Sequence, residues 1–191
     1  MIILCATKPQ FYRRAVPAPV PTGIIQAMQF EHLVAVNDAN VPHAQFLTRA
    51  QLWAGLMYRV DDARPFLPGL DGCQILSRRD SVVERRLNFG AVTIDDRASF
   101  SINQWVRFET ATTPTHGGGL LTIRIEEPEP MCLFLRFTYN TMFARGAEAE
   151  DAPYAEFLRQ AYMAADIDTV RVIRTLVTTG VIEAADSEVH Q

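Results

Sequence analysis

Two charges sit where greasy side chains belong. In VVERRLNFGAVTIDDRASF, residues 82–100, alternation marks two strands. If Gly90 and Ala91 form the loop, Gly90 supplies the positive φ that a type II′ turn needs at its first central position. Counting outward, Phe89 faces Val92, Leu87 faces Ile94, Arg85 faces Asp96 and Val83 faces Ala98, all on one face of the hairpin. Arg85 and Asp96 then meet across the strands inside an apolar stripe. Taking an ion pair out of water costs on the order of several kcal/mol per ion, only partly offset by mutual attraction. Either the pair braces the sheet or lies at a wet rim, or it is a polar anchor in a pocket. In the second role Arg85 would hold a carboxylate, enolate or phenolate in its planar fork while Asp96 fixes the fork's orientation.

Two further groups carry weaker signals. Tyr139 shares the inner face with Phe137, where a phenol could donate to a ligand carbonyl, or stand at the rim with its hydroxyl in water. His32 lies on one strand face with Phe30, Val34 and Val36, and there reads as a satisfied core histidine or a base. The opposite face, with Leu33 and Ala35, is nearly as apolar, so the pattern leaves this strand's orientation open. HGGG, residues 116–119, resembles an oxyanion-hole tetrapeptide but lacks the G-x-S-x-G elbow it would serve, and reads as a flexible loop. Asp168 and Arg171 form an ordinary i,i+3 surface pair.

Composition narrows the function classes. With 191 residues, 48% hydrophobic and 21% charged, the chain suits one globular domain. A net charge of −4 and scattered basic residues argue against nucleic acid as a partner. The single lysine, Lys8, leaves the rest of the chain without an amine for a Schiff base. Cys5, Cys73 and Cys132 fit neither a disulfide framework nor a metal-ligand spacing. No Gly-rich phosphate loop appears, so no cofactor and no metal are expected. No apolar run approaches the roughly 18 residues of a membrane span. MIILCA is too short, and too soon followed by Lys8, Arg13 and Arg14, for a signal peptide, so a cytoplasmic location is expected.

The elements that must position these groups follow from periodicity. Residues 1–27, acid-free and carrying Pro17, Pro19 and Pro21, read as an appended, disordered segment, and residues 181–191 as a flexible tail. MQFEHLVAVND, from Met28, is a strand. Thr48 with Gln51 makes a capping box for a helix to about Asp61, along which Leu52, Trp53, Leu56, Met57 and Val60 recur. RPFLPGLDG then forces turns and a second short helical piece. Six strands follow, at about 72–78, 82–89, 92–101, 105–111, 120–126 and 131–140, joined by loops short enough for an antiparallel meander. Ile125 is expected to pair with Met131, Ile123 with Leu133 and Leu121 with Leu135, the face continuing through Phe137 and Tyr139, with Val106 and Phe108 beside it. A helix capped by Asp151 runs to Gly180, its apolar side including Tyr154, Tyr162, Thr169, Val170 and Ile173. The result is an α+β fold, a curved seven-stranded antiparallel sheet wrapped around one long C-terminal helix, with a cavity between them.

The blocks MQFEHLVAVND, LTRAQLWAGL, FLPGLDGC, LTIRIEEPEPMCLFLRFTYN and AYMAADIDTVRVIR, in that order, resemble the small bacterial and fungal AtaL-like family of the START and birch-pollen-allergen helix-grip superfamily. The resemblance covers about residues 28–180 and implies the helix-grip fold with a hydrophobic ligand pocket. Superfamily relatives include lipid and steroid carriers and polyketide aromatase/cyclases. The leading expectation is binding of a small hydrophobic or aromatic, polyketide-like molecule by Arg85, Asp96, Leu87, Phe89, Ile94, Phe108, Phe137 and Tyr139. An aromatase/cyclase-like enzyme of secondary metabolism using Arg85, Asp96 and Tyr139 is the second reading, and a protein-interaction module the third.

Overall fold

The computed structural model describes residues 25–38, 46–111, 118–144 and 152–182. The Pro-rich stretch to residue 24, His116 and Gly117, the Asp151 cap, the Tyr154 side chain and residues 183–191 lie outside the described part. In chain order the elements are β1 (Ile25–Ala35), α1 (Arg49–Asp61), a short 3-10 helix (Arg64–Phe66), β2 (Gly72–Arg79), β3 (Val82–Phe89), β4 (Val92–Ser101), β5 (Trp105–Thr110), β6 (Gly119–Glu126), β7 (Phe134–Ala144) and α2 (Ala152–Thr178). The seven strands form one antiparallel sheet in the order β1-β7-β6-β5-β4-β3-β2. β1 begins three residues ahead of the expected boundary at Met28.

Local chemistry sets the elements as expected where it is strong. Thr48 and Gln51 form both halves of the capping box at the start of α1. At the β3–β4 turn Gly90 has φ +58° while Ala91 stays out of the positive region, which excludes type I′ and fits type II′. The hairpin pairs Phe89 with Val92, Leu87 with Ile94, Arg85 with Asp96 and Val83 with Ala98. β1 turns its Val34 and Val36 face inward and leaves Leu33 43% exposed, so His32 points into the molecule.

The β6–β7 register differs from expectation. Ile125 pairs with Leu135, Ile123 with Phe137 and Leu121 with Tyr139. The loop is longer because Met131 adopts φ +65° and is held in it. Its N–H donates to Glu127 (3.0 Å) and its carbonyl accepts from Asn37 Nδ2 (3.0 Å). The slip is by four residues, an even number, so the inner-face residues of β6 and β7 stay inside, while Met131, expected on that face, lies in the loop 43% exposed.

α1 and α2 lie on the inner face of the sheet and share one core with it, including Leu52, Leu56, Val106, Ile123, Leu135, Phe137 and Ile173. The helices come so close that a Cβ on Gly55 would sit 2.5 Å from Ile173 Cγ2. Tyr139 stacks on Tyr162 of α2 at 4.3 Å and 8°. These side chains fill the gap in which a cavity was expected between sheet and long helix. A smaller, separate cluster of Ala63, Leu67, Leu70 and Leu87 closes the end of the sheet nearest the 3-10 helix.

Candidate functional site

Arg85 is 2% exposed and Asp96 8%. Their register places them opposite each other, and the contact is a two-pronged fork: Arg85 Nε donates to Asp96 Oδ1 (2.8 Å) and Nη2 to Asp96 Oδ2 (2.5 Å). Nη1 donates to the carbonyls of Arg59 (2.8 Å) and Val60 (3.0 Å) in the last turn of α1. Those carbonyls carry the negative end of the helix dipole and have no partner within the helix, so a guanidinium there is favoured twice over. Arg85 thus ties helix to sheet with four bonds, its Cζ 4.8 Å from the centroid of the Phe108 ring.

A second arginine lies beside it. Arg59, on α1, is 5% exposed, and its guanidinium stands between the rings of Phe66 (5.7 Å) and Phe108 (5.4 Å). Its hydrogen bond is to a neutral group: Nη1 donates to Thr169 Oγ1 (2.8 Å), whose own proton goes to the Ala165 carbonyl (2.9 Å). No carboxylate among the described residues lies within ion-pair distance of Arg59. Burial lowers its pKa, an effect opposed by the fields of Tyr139 and Asp166.

The third group is an acid on α2. Asp166 is 1% exposed; its Oδ1 accepts from the Tyr139 hydroxyl at 2.5 Å, and its Oδ2 lies 3.3 Å from His32 Nδ1. Burial, opposed by the Tyr139 hydrogen bond and the Arg59 charge, raises the Asp166 carboxyl to about 7. The same desolvation holds the Tyr139 phenol well above its ordinary value and lowers the His32 pKa, so the neutral imidazole is favoured at pH 7. Tyr139 is therefore a buried residue, away from the wet rim that was one reading of it. Its hydroxyl, Asp166 and His32 form a hydrogen-bonded chain from core toward surface, His32 being the partly exposed member.

A cavity of about 20 Å³, room for one water, is lined by Arg59, Ala63, Leu67, Arg85, Leu87, Phe89, Ile94, Asp96, Phe108 and Thr110. Six of the eight expected ligand-binding residues meet there; Phe137 and Tyr139 instead pack under α2. The sequence reading missed Arg59 and Asp166, and placed Thr169 on the inward side of the long helix without a polar role. Its list of apolar positions on α1 passed from Met57 to Val60, over a buried arginine seven residues after Leu52. Among the described residues no group of three or more His, Cys, Asp or Glu side chains is placed to hold a metal. Among the described residues no helix is long and apolar enough to cross a membrane.

Residues 34–180 match the family described as AtaL, acetylaranotin biosynthesis cluster protein L. No curated protein matches the chain. Among solved structures, the Zhui aromatase/cyclase from Streptomyces sp. R1128 superposes with a TM-score of 0.59 at 16% identity, over 84% of this chain and 99% of that one. The di-domain aromatase/cyclase StfQ from the steffimycin biosynthetic pathway gives 0.58 at 10% identity, over 81% of this chain and 52% of its own length. Ara h 8.0201 gives 0.51 at 10% identity, over 81% and 99%. At such identities the likeness establishes the fold, helix-grip, and leaves the chemistry to the residues.

Proposed function

This chain belongs to the AtaL family, and from that premise we propose that it binds a small aromatic, polyketide-like molecule at the inner end of the β3–β4 hairpin. The observation that carries the reading is the composition of the cavity wall. Leu67, Leu87, Phe89, Ile94 and Phe108 offer flat apolar contact, and a few convergent polar groups, Arg59, Arg85, Asp96 and Thr110, interrupt it. An aromatic ligand needs more space than one water. That space would come from Leu67 and Leu70, because the turn holding them is bonded mainly to itself. Phe66 and Leu67 N–H donate to the Ala63 carbonyl and Leu70 N–H to the Leu67 carbonyl, before Asp71 N–H rejoins the sheet at Asn88. Lifting these leucines breaks apolar contacts and no sheet hydrogen bond, which is the kind of low-stability segment ligand entry draws upon.

An enzyme on the same scaffold is the second reading, favoured by the Tyr139–Asp166–His32 chain. A carboxyl that titrates near neutral pH and touches both a phenol and an imidazole suits general acid–base work on an enolisable ligand. One experiment separates the two. A library of phenolic and polyketide-like compounds is screened by thermal shift, and each stabilising compound is incubated with protein and analysed by mass spectrometry. Stabilisation by at least one compound is expected. A compound recovered unchanged supports a carrier, and conversion that is lost in Asp96→Asn or Asp166→Asn supports the enzyme. A library with no stabilising member overturns the proposal.

A further inference from the structure

We infer that Arg59 is an anion-binding residue, and that the ligand class of this site is an aromatic acid whose anionic oxygen pairs with the Arg59 guanidinium beside Phe108. The inference rests on the binding reading above and gives the ligand its charge. It also moves the anchoring role. Arg85, the expected anchor, spends its fork on Asp96 and its remaining terminal nitrogen on the two α1 carbonyls. An incoming anion would have to displace those bonds. Arg59 has no such commitment: one bond to a hydroxyl, and no carboxylate partner among the described residues.

The energetics of burial sharpen the point. Arg59 is nearly as buried as Arg85, and a desolvated cation without a counter-ion is unfavourable by several kcal/mol. The flanking rings of Phe66 and Phe108 return part of that through their π faces. The fields of Tyr139, Asp166 and Asp96 return a further part, opposed by that of Arg85, with no ion pair formed. A methionine would bring no such cost, so the arginine fits a site completed from outside. The cavity it lines holds two guanidiniums and one carboxylate, Asp96, which leaves a net positive wall next to flat apolar ones. An arginine fork pairs in two prongs with a carboxylate or a sulfonate, which offer two or more oxygens, and with the one oxygen of a phenolate.

The test uses two dyes of one ring skeleton: 1-anilinonaphthalene-8-sulfonate, an aromatic anion, and N-phenyl-1-naphthylamine, which lacks the sulfonate. Titrations followed by fluorescence give both dissociation constants on the full chain. Wild-type protein should prefer the anion by about tenfold or more. Arg59→Met should weaken the anion by about tenfold and leave the neutral dye within about twofold. Arg59→Gln, which keeps a donor for Thr169, should behave the same way should the methionine variant fail to fold. Arg59→Lys should retain most of the preference. Equal loss for both dyes, or an unchanged preference in the neutral variants, overturns the inference and leaves the binding reading standing. Binding of neither dye to wild-type protein overturns both.

Discussion

Arg85→Met is expected to destabilise the protein by about 3 to 5 kcal/mol, the range for stranding one member of a buried ion pair. The geometry says why it should be the worse of the two single changes. Losing the guanidinium leaves Asp96 desolvated and alone, and removes the donor from the Arg59 and Val60 carbonyls at the end of α1. Asp96→Leu leaves Arg85 bonded to those carbonyls and adjacent to Phe108, so its effect should be smaller. The double variant should recover the ion-pair part of the loss and retain the part due to the two carbonyls. Equilibrium unfolding in denaturant at pH 7 for the four proteins gives the coupling directly. Strict additivity would show that the fork contributes no interaction energy, and that Arg85 acts through the α1 carbonyls alone.

The second large effect is in the pH dependence of stability. Asp166 has its pKa raised from 3.8 to about 7 in the folded chain. The native state therefore holds a proton that the unfolded state releases. This group's contribution is fully present below about pH 3.8 and is lost as pH rises through about 7. At about 1.4 kcal/mol per unit, the loss is on the order of a few kcal/mol. Asp166→Asn keeps the shape and an acceptor for Tyr139, but does not titrate. Against wild type it should be nearly neutral at pH 4 and more stabilising at each step up to pH 7, level beyond that. His32 has its pKa lowered by burial, so its own contribution rises with pH, and it largely cancels because both proteins contain it. Parallel stability curves between pH 4 and 8 would mean that Asp166 is an ordinary ionised carboxylate.

Why the sequence revealed one polar pair and hid the others is a matter of period. A strand has period two and a two-residue turn fixes its partner, so the pairing of Arg85 with Asp96 follows from counting outward from Gly90. Helical stripes are broad. Arg59 lies seven residues after Leu52 and three after Leu56, and Asp166 lies midway between Tyr162 and Val170, all of them buried. A polar residue at such a spot is indistinguishable from the edge of the stripe until the facing elements are known. Alternation likewise assigned the faces of β6 and β7 correctly and their register wrongly, because an even slip changes no face. The cavity failed for another reason. Topology leaves a gap between sheet and helix, but whether it stays open depends on volume, and Phe137, Tyr139, Tyr162 and Ile173 fill it.

The most direct test of a binding site beside Arg59 is a crystal structure of the protein grown with 1-anilinonaphthalene-8-sulfonate. The account predicts the sulfonate within hydrogen-bond distance of the Arg59 guanidinium and the rings against Phe108, Leu87 and Ile94. Leu67 and Leu70 should be displaced outward, with the Arg85–Asp96 fork intact. A dye lying on the exposed Phe157, Met163 and Ile167 of α2, over an interior packed as it is now, would contradict it and leave the protein-interaction module as the better reading.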